Sequence, residues 1–389
     1  MTMINLKNKK EKAPRKLGLY LHIPFCRTKC LYCDFCSFVS REATERESYV
    51  RALITEIEGK RNYEYLVDTV YFGGGTPSLL TKEQIARILS VVRENFCVSP
   101  DVEITLECNP MTHLDDGREY FGALRALGVN RLSLGIQSAN DVELKLIGRR
   151  HSFEDAKSTF LAARESGFDN ISVDLMLGIP SQTLDSLKES ANELIKLGAE
   201  HISIYSLQLE EGTPLFKMRE KYDLADDDTA ADMYETVVQI MREANYCHYE
   251  ISNFAKEGRE SRHNSKYWRL DEYLGLGLSA HSDFGGRRLE NTRDMLKYLG
   301  GEWLEGEEEI SLPEREFEFL MLGLRTSAGV SKSEFFNAFG IDFDEKYGQK
   351  IENLKGAGYV FENENRVMLT ERGFEVSNSI LSEILDFDY

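Results

Sequence analysis

Residues 21–38 read LHIPFCRTKCLYCDFCSF and continue an apolar, β-like run at residues 17–23. This stretch places four of the chain's seven cysteines, Cys26, Cys30, Cys33 and Cys36, within eleven residues. The first three have the spacing C-x3-C-x2-C, which lets three thiolates of one loop face a common centre. The stretch therefore raises two questions: what the thiols hold, and whether Cys36 belongs with the other three.

Length and composition indicate an ordinary globular protein with two domains, or one barrel with an appendage. The 389 residues are 42% hydrophobic and 29% charged, with no apolar window near the ~18 residues of a membrane span. We predict a flexible tail at residues 1–16, which are basic without a secretory apolar run. We also expect a cytoplasmic protein, in which clustered cysteines are more often metal ligands or redox groups than disulfides.

Short β-rich runs alternate with longer amphipathic segments. The strand-like runs lie near residues 17–23, 69–73, 103–107, 131–136, 171–176, 202–207 and 246–251. The helix-like segments lie near residues 41–60, 82–95, 115–127, 153–166, 183–197 and 227–244. Such alternation gives parallel strands with right-handed crossovers. Because six units are fewer than the eight of a closed barrel, we predict an α/β fold, an incomplete (β/α)6 TIM-like barrel at residues 17–304.

The pattern changes in residues 305–389. Three helix-like segments precede a hairpin that turns at residues 363–365, and a last helix follows. This order predicts a small, winged-helix-like α+β domain. Because the segment is rich in Glu and Asp and the whole chain carries a net charge of −19, we expect it to pack against the barrel and not to bind nucleic acid.

The three-cysteine loop allows two interpretations. A structural zinc site normally takes its remaining ligands from a second cysteine pair, but Cys97, Cys108 and Cys247 are isolated and are more typical of small core residues. A [4Fe–4S] cluster usually takes four thiolates, so three would leave one iron open for another ligand. We favour the iron–sulfur cluster, with a zinc knuckle or a chance grouping as the alternatives.

Polar residues recur where the predicted strands end, which is where barrels of this kind collect their chemistry. GGGTPS at residues 73–78 permits close backbone approach to a ligand, although a glycine triplet alone is as typical of a tight turn. Arg149 is suited to pair bidentately with a carboxylate, and Asp174 to bind ribose hydroxyls. With Glu107 and Gln137 they predict the rim of one cavity.

The cysteine spacing resembles that of the radical S-adenosylmethionine superfamily. In order, YLHIPFC, FGGGTPSLL, EITLECNP, NRLSLGIQS, DLMLGIPSQT, YEISNFAKEG and RHNSKYW resemble the oxygen-independent coproporphyrinogen III oxidase-like group, and most of all the haem chaperone HemW family. The resemblance implies that Cys26, Cys30 and Cys33 hold a [4Fe–4S] cluster whose open iron chelates S-adenosylmethionine. It implies contacts to S-adenosylmethionine from Tyr20, Gly74, Gly75, Thr76, Glu107, Gln137, Arg149 and Asp174.

The oxidase branch of this group carries C-x3-C-x2-C-x-C and a long N-terminal extension. Here only 25 residues precede Cys26, and Cys36 comes three positions after Cys33. The resemblance therefore implies a haem chaperone that passes haem to acceptor haemoproteins such as respiratory cytochromes. The alternative is the oxidase itself, a radical oxidative decarboxylase of porphyrin biosynthesis, and enzyme turnover is left open. A nucleic-acid-acting radical enzyme is disfavoured by the charge.

RHNSKYW at residues 262–268 fits the H-N-x-x-Y-W motif of the chaperone branch. The resemblance makes His263 a candidate ligand of haem iron, and Tyr267 and Trp268 candidates for packing on the macrocycle. The alternative is a structural loop in which His263 caps backbone groups. We expect His281 to be a cavity-wall or packing residue. As further partners the resemblance implies an electron donor for the cluster, and it allows peripheral membrane contact and a homodimer.

Overall fold

The computed structural model describes residues 14–40 and 42–386. Most of the predicted N-terminal tail, residues 1–13, lies outside the described residues. The first strand begins at Arg15, one residue before the predicted end of the tail at residue 16. Within the described residues, no helix combines the length and the apolar composition that a membrane crossing requires.

The described residues form three sheets. Their strands are β1 (Arg15–Ile23), β2 (Phe25–Cys26), β3 (Phe38–Val39), β4 (Asn62–Gly74), β5 (Phe96–Cys108), β6 (Arg131–Gln137), β7 (Ile171–Leu177), β8 (His201–Ser206), β9 (Cys247–Glu250), β10 (Asn253–Ala255), β11 (Tyr273–Leu276), β12 (His281–Phe284), β13 (Arg287–Asn291), β14 (Leu304–Glu309), β15 (Val330–Ser331), β16 (Val360–Glu362) and β17 (Arg366–Leu369).

Helices connect most of these strands. They are α1 (Ala43–Gly59), α2 (Lys82–Asn95), α3 (Gly117–Leu127), α4 (Asp141–Leu146), α5 (Phe153–Glu165), α6 (Leu184–Leu197), α7 (Pro214–Lys217), α8 (Asp227–Glu243), α9 (Arg262–Trp268), α10 (Met295–Leu299), α11 (Leu312–Gly323), α12 (Lys332–Phe339), α13 (Phe343–Gly356), α14 (Glu371–Glu375) and α15 (Ser377–Leu385). The six helices predicted in the barrel region are confirmed as α1, α2, α3, α5, α6 and α8.

The largest sheet has twelve strands in the order β14-β13-β12-β11-β1-β4-β5-β6-β7-β8-β10-β9. The six predicted parallel strands are confirmed as β1, β4, β5, β6, β7 and β8. A seventh parallel strand, β11, pairs with β1 and was not predicted. The predicted run at residues 246–251 is β9, which pairs antiparallel with β10 and so does not extend the parallel series.

Side chains alternate along the parallel strands between an apolar outer layer and a polar interior. On β1, Leu17, Leu19 and Leu21 are fully buried in the core formed with the helices. The intervening Gly18 faces His263 and Lys266 inside the sheet. Because successive strand residues point to opposite faces, the polar residues of all parallel strands gather in one interior.

The C-terminal domain has a core of its own, formed by helices α11 to α15 and the small sheet β15-β17-β16. The predicted hairpin is confirmed, with β16 ending at Glu362 and β17 beginning at Arg366. The domain packs against the barrel as expected: the Ile251 N–H donates to the Arg325 carbonyl at 3.0 Å. The predicted boundary at residues 304/305 falls within β14, which pairs with β13.

Candidate cofactor site at the carboxyl ends of the parallel strands

The carboxyl ends of the parallel strands surround a cavity of about 590 Å³. The three cysteines at C-x3-C-x2-C line it, and so do seven of the eight residues predicted to contact S-adenosylmethionine: Gly74, Gly75, Thr76, Glu107, Gln137, Arg149 and Asp174. The structure thus brings together residues that are 148 positions apart in sequence, since Cys26 and Asp174 line the same space. These residue roles remain predictions, but their convergence is a feature of the fold.

The cysteine loop is fastened to the glycine segment by backbone hydrogen bonds. The Gly75 N–H donates to the Ile23 carbonyl at 2.9 Å, and the Thr76 N–H donates to the Phe25 carbonyl at 2.7 Å. The Thr76 hydroxyl lies 3.5 Å from Sγ of Cys26. The start of the loop is therefore fixed directly over the end of β4.

The three cysteine thiols have the ligand chemistry that an iron–sulfur cluster requires. All seven cysteines are free thiols, and Cys26, Cys30 and Cys33 share one cavity. Within residues 14–40 and 42–386, no group of three or more His, Cys, Asp or Glu side chains is arranged to hold one metal ion. Burial raises the pKa of Cys26 and of Cys33, so cluster binding would displace protons from these thiols. Soft thiolate ligands suit iron–sulfur clusters.

Two glycines of the GGGTPS segment are required by the geometry. Gly74 has φ +107°, and a Cβ atom there would lie 2.5 Å from Cε1 of His22. At Gly75 a Cβ atom would lie 2.7 Å from the carbonyl oxygen of Phe25. Both positions therefore exclude a side chain, and the exposed backbone is left free to approach a ligand closely.

Two half-buried carboxyl groups, those of Glu107 and Asp174, lie in the cavity wall. Glu107 accepts a hydrogen bond from the Tyr71 hydroxyl at 2.8 Å and one from the Gly74 N–H at 3.2 Å. Burial raises the pKa of Glu107 to about 7, and burial also raises the pKa of Asp174 to about 6. A bound ammonium group or hydroxyl donor would stabilise their ionised forms.

Gln137 and Arg149 are held in defined orientations. Gln137, the last residue of β6, has φ +76°, and its side-chain oxygen accepts a hydrogen bond from the Tyr205 hydroxyl at 2.5 Å. Arg149 donates to the Tyr32 hydroxyl at 3.0 Å, while its Nε has no hydrogen-bond partner among the described residues. A guanidinium in the cavity wall is suited to bind the carboxylate of a ligand.

Sequence reasoning missed several residues of this cavity, among them Tyr32, Arg131 and Tyr205. Arg131 begins β6 and resembles a surface residue in the sequence, yet it is buried inside the sheet. A signal was present, since Arg131, Ser133, Gly135 and Gln137 alternate along β6 and all line the cavity. Because every second residue of a strand points to the same face, the position of Gln137 would have identified Gly135, Ser133 and Arg131 as cavity residues.

The haem candidates of the H-N-x-x-Y-W motif lie on α9. His263 is 1% exposed and stacks on Tyr71 with ring centroids 5.1 Å apart. Its Nδ1 is hydrogen-bonded to the Thr69 hydroxyl at 2.8 Å and its Nε2 to the Tyr267 hydroxyl at 2.9 Å. With both nitrogens engaged, this conformation favours the structural alternative, and the haem-ligand role of His263 stays a prediction.

Three other candidates stand apart from the cofactor cavity. Tyr267 lines a neighbouring cavity, and Trp268 is partly exposed at the end of α9. Tyr20 lines the same neighbouring cavity, and its hydroxyl is hydrogen-bonded to Nδ1 of His22 at 3.0 Å. Tyr20 does not line the cofactor cavity, so its contact with S-adenosylmethionine stays a prediction.

Comparison with known proteins identifies the class. Residues 20–194 match the family model of the Radical SAM superfamily, and residues 310–376 match that of the HemN C-terminal domain. A solved structure of coproporphyrinogen III oxidase (HemN) from Escherichia coli, described as a radical SAM enzyme, shares the fold with a TM-score of 0.83. That likeness covers 95% of this chain and 90% of the other at 24% identity. The fold and the three-cysteine loop thus define a radical SAM protein.

Curated relatives identify the family more closely. The chain is 37% identical to heme chaperone HemW of Bacillus subtilis (strain 168), over 94% of this chain and 98% of the relative. It is 35% identical to the HemW of Lactococcus lactis subsp. lactis (strain IL1403), over 94% and 96%, and 34% identical to that of Escherichia coli (strain K12), over 95% and 98%. The chain belongs to the heme chaperone HemW family.

Proposed function

We propose that this protein is a haem chaperone, which binds haem and passes it to acceptor haemoproteins such as respiratory cytochromes. The observation that supports this function is the extent of the likeness. Identity of 34–37% to curated HemW proteins spans at least 94% of this chain, so it includes both the parallel sheet and the C-terminal domain. The solved HemN structure, at 24% identity, supports only the assignment of the fold.

In this proposal Cys26, Cys30 and Cys33 hold a [4Fe–4S] cluster, which is reduced by an electron donor protein. When bound, such a cluster supplies an iron with a free coordination position. The donor set supports this assignment, because three thiols line one cavity and their loop is fixed to the glycine segment by two backbone hydrogen bonds.

S-adenosylmethionine would occupy the rest of the same cavity. The backbone at Gly74 to Thr76 and the Glu107 carboxylate suit its ammonium group, and the positive charge of the Arg149 guanidinium suits its carboxylate. Asp174 suits the ribose hydroxyls. Tyr32 belongs to the cysteine loop and accepts a hydrogen bond from Arg149, so binding at Arg149 would help to order that loop.

The competing function is the oxidase reaction, the radical oxidative decarboxylation of two porphyrinogen propionates. Retention of Glu107, Gln137, Arg149 and Asp174 around one cavity favours it, because these residues match the oxidase branch. Both functions use the same cofactors, so cofactor binding alone does not separate them.

One experiment separates the two functions. The cluster is reconstituted anaerobically, and the protein is incubated with coproporphyrinogen III, S-adenosylmethionine and a reductant, while a parallel sample is titrated with haem. We expect stoichiometric haem uptake without catalytic formation of protoporphyrinogen. We further expect haem to move to an apo-cytochrome faster than it is released to a passive haem scavenger. Catalytic turnover, or transfer no faster than passive release, would refute the chaperone function.

A further inference from the structure

A second cavity, of about 580 Å³, lies on the other side of the cysteine loop. Lys29, Asp34 and Phe35 line both cavities, so this part of the loop is a shared wall. The volume is within the range of about 300–1,000 Å³ that small-molecule and cofactor sites occupy. Cys36, which does not line the cofactor cavity, lines this one.

Several aromatic side chains line the second cavity. Phe35 and Phe38, three positions apart at the end of the cysteine loop and the start of β3, are 68% and 42% exposed although both are large apolar side chains. Opposite them, Tyr267 and Tyr273 pack edge to face with ring centroids 4.6 Å apart. Exposed apolar side chains that flank a cavity mark a binding site for an apolar ligand, and aromatic walls suit a flat one.

Two imidazoles line this cavity, and only one has an available nitrogen. Both nitrogens of His22 are engaged, one by the Tyr20 hydroxyl at 3.0 Å and the other by the Cys36 carbonyl at 2.9 Å. The side chain of His281 is 45% exposed, and its Nε2 lies 3.7 Å from the Glu290 carboxylate. Neutral imidazole is a common ligand of haem iron, and a neighbouring carboxylate orients such a ligand through its other nitrogen.

The remaining polar groups of the cavity suit a ligand with carboxylates. Lys29 and Arg293 line the cavity with only one carboxylate, Asp34, in a chain whose net charge is −19. Arg293 is 69% exposed and lies 3.5 Å from Glu290, so it can reach into solvent near His281. Cys36 also lines this cavity and is the other conceivable iron ligand.

We propose that this second cavity is the haem site and that His281 is the iron ligand. The macrocycle would lie between the Phe35–Phe38 segment and the Tyr267–Tyr273 pair, with its propionates towards Lys29 and Arg293. This assignment rests on the proposed chaperone function and deepens it. It gives His281 a role beyond the wall residue expected from sequence, and it retains Tyr267 of the H-N-x-x-Y-W motif as a packing residue without requiring iron ligation by His263.

The test compares two porphyrins on the full-length, cluster-reconstituted chain: haemin, and protoporphyrin IX, which lacks the metal. We expect His281→Ala to weaken haemin binding about tenfold or more and to change its Soret spectrum, while the affinity for protoporphyrin IX changes less than about twofold. Arg293→Gln should weaken both porphyrins, since both carry propionates. Cys36→Ser should leave the haemin spectrum unchanged. Thermal unfolding of each variant verifies folding, and His281→Gln replaces His281→Ala if the latter is unstable.

The outcomes distinguish the assignment from the function on which it rests. If the wild-type chain takes up no haemin, the chaperone function fails and the assignment fails with it. If wild-type uptake is tight but His281→Ala binds haemin with the same affinity and spectrum, the assignment alone is overturned. A spectrum that changes in Cys36→Ser but not in His281→Ala also overturns it, in favour of the thiol.

Discussion

Gly74 faces the imidazole of His22 so closely that a Cβ atom at Gly74 would lie 2.5 Å from Cε1 of that ring. The ring cannot easily retreat, because its two nitrogens are hydrogen-bonded to the Tyr20 hydroxyl and to the Cys36 carbonyl. His22 thus joins the glycine segment at the end of β4 to the far end of the cysteine loop. The glycine segment and His22 can pack this closely because residue 74 has no side chain.

We therefore expect Gly74→Ala to destabilise the protein by about 1–3 kcal/mol, because it adds both the contact with His22 and a side chain at φ +107°. Chemical denaturation measures the stability, and calorimetric titration measures the affinity for S-adenosylmethionine, which should fall as well. Gly122→Ala is the matched control: it lies within α3, a Cβ atom there has no neighbour within 4 Å, and stability should stay level or rise by up to about 1 kcal/mol. If Gly74→Ala and Gly122→Ala changed the stability of the protein by the same amount, the steric explanation would be wrong.

The cluster should depend on three cysteines and not on the fourth. We expect Cys26→Ser, Cys30→Ser and Cys33→Ser each to abolish the iron–sulfur absorbance at about 400 nm after reconstitution, because each removes one ligand. Cys36→Ser should keep the cluster, since Cys36 lines the second cavity and not the first. Iron and sulfide analysis provides the measurement, with Cys247→Ser as the control at an exposed thiol. Loss of the cluster in Cys36→Ser would place all four thiols in one site.

Stability should depend on pH through Glu107. Its pKa is raised from 4.5 to about 7, so the folded protein holds more protons than the unfolded chain between these values. Stability from this group is therefore present at low pH and lost as pH rises towards 7, by at most about 1.4 kcal/mol per pH unit. Glu107→Gln should remove this slope. Asp174→Asn should remove the corresponding fall in stability between pH 3.8 and about 6.

Denaturant titrations across pH 4 to 8 measure both slopes without S-adenosylmethionine. Adding S-adenosylmethionine to the wild-type chain should flatten the Glu107 slope, because a bound ammonium group stabilises the carboxylate. A Glu107→Gln variant with the wild-type slope would show that this carboxyl group is not the one that titrates in this window.

His263→Ala should lower stability more than it lowers haem affinity. The substitution leaves a cavity beneath Tyr71 and removes the partners of the Thr69 and Tyr267 hydroxyls, at a cost of about 3 kcal/mol or more. His281→Ala, at a half-exposed side chain, should cost well under 1 kcal/mol. Chemical denaturation measures the stability of the two variants, and haemin titration measures their haem affinity. A stable His263→Ala chain that no longer binds haemin would restore His263 as the ligand.

Sequence patterns predicted the repeating part of the fold closely. Helix α2 was expected at residues 82–95 and is Lys82–Asn95, because its apolar residues recur at helical spacing and Thr81 provides a capping box with Gln84. The antiparallel strands β12, β13 and β14 were not predicted. Their sequences are short and polar, and they form because they add to the edge of the existing sheet at β11.

The sequence by itself determined the cysteine spacing, the glycine segment and the polar residues at the strand ends, because each is encoded in a few neighbouring positions. Only the tertiary structure decided which residues share a space. It placed Arg131 inside the sheet, His263 in a buried network, and Cys36 and His281 around a second cavity. The reason is physical: burial and convergence depend on the packing of strands distant in sequence, which no local pattern specifies.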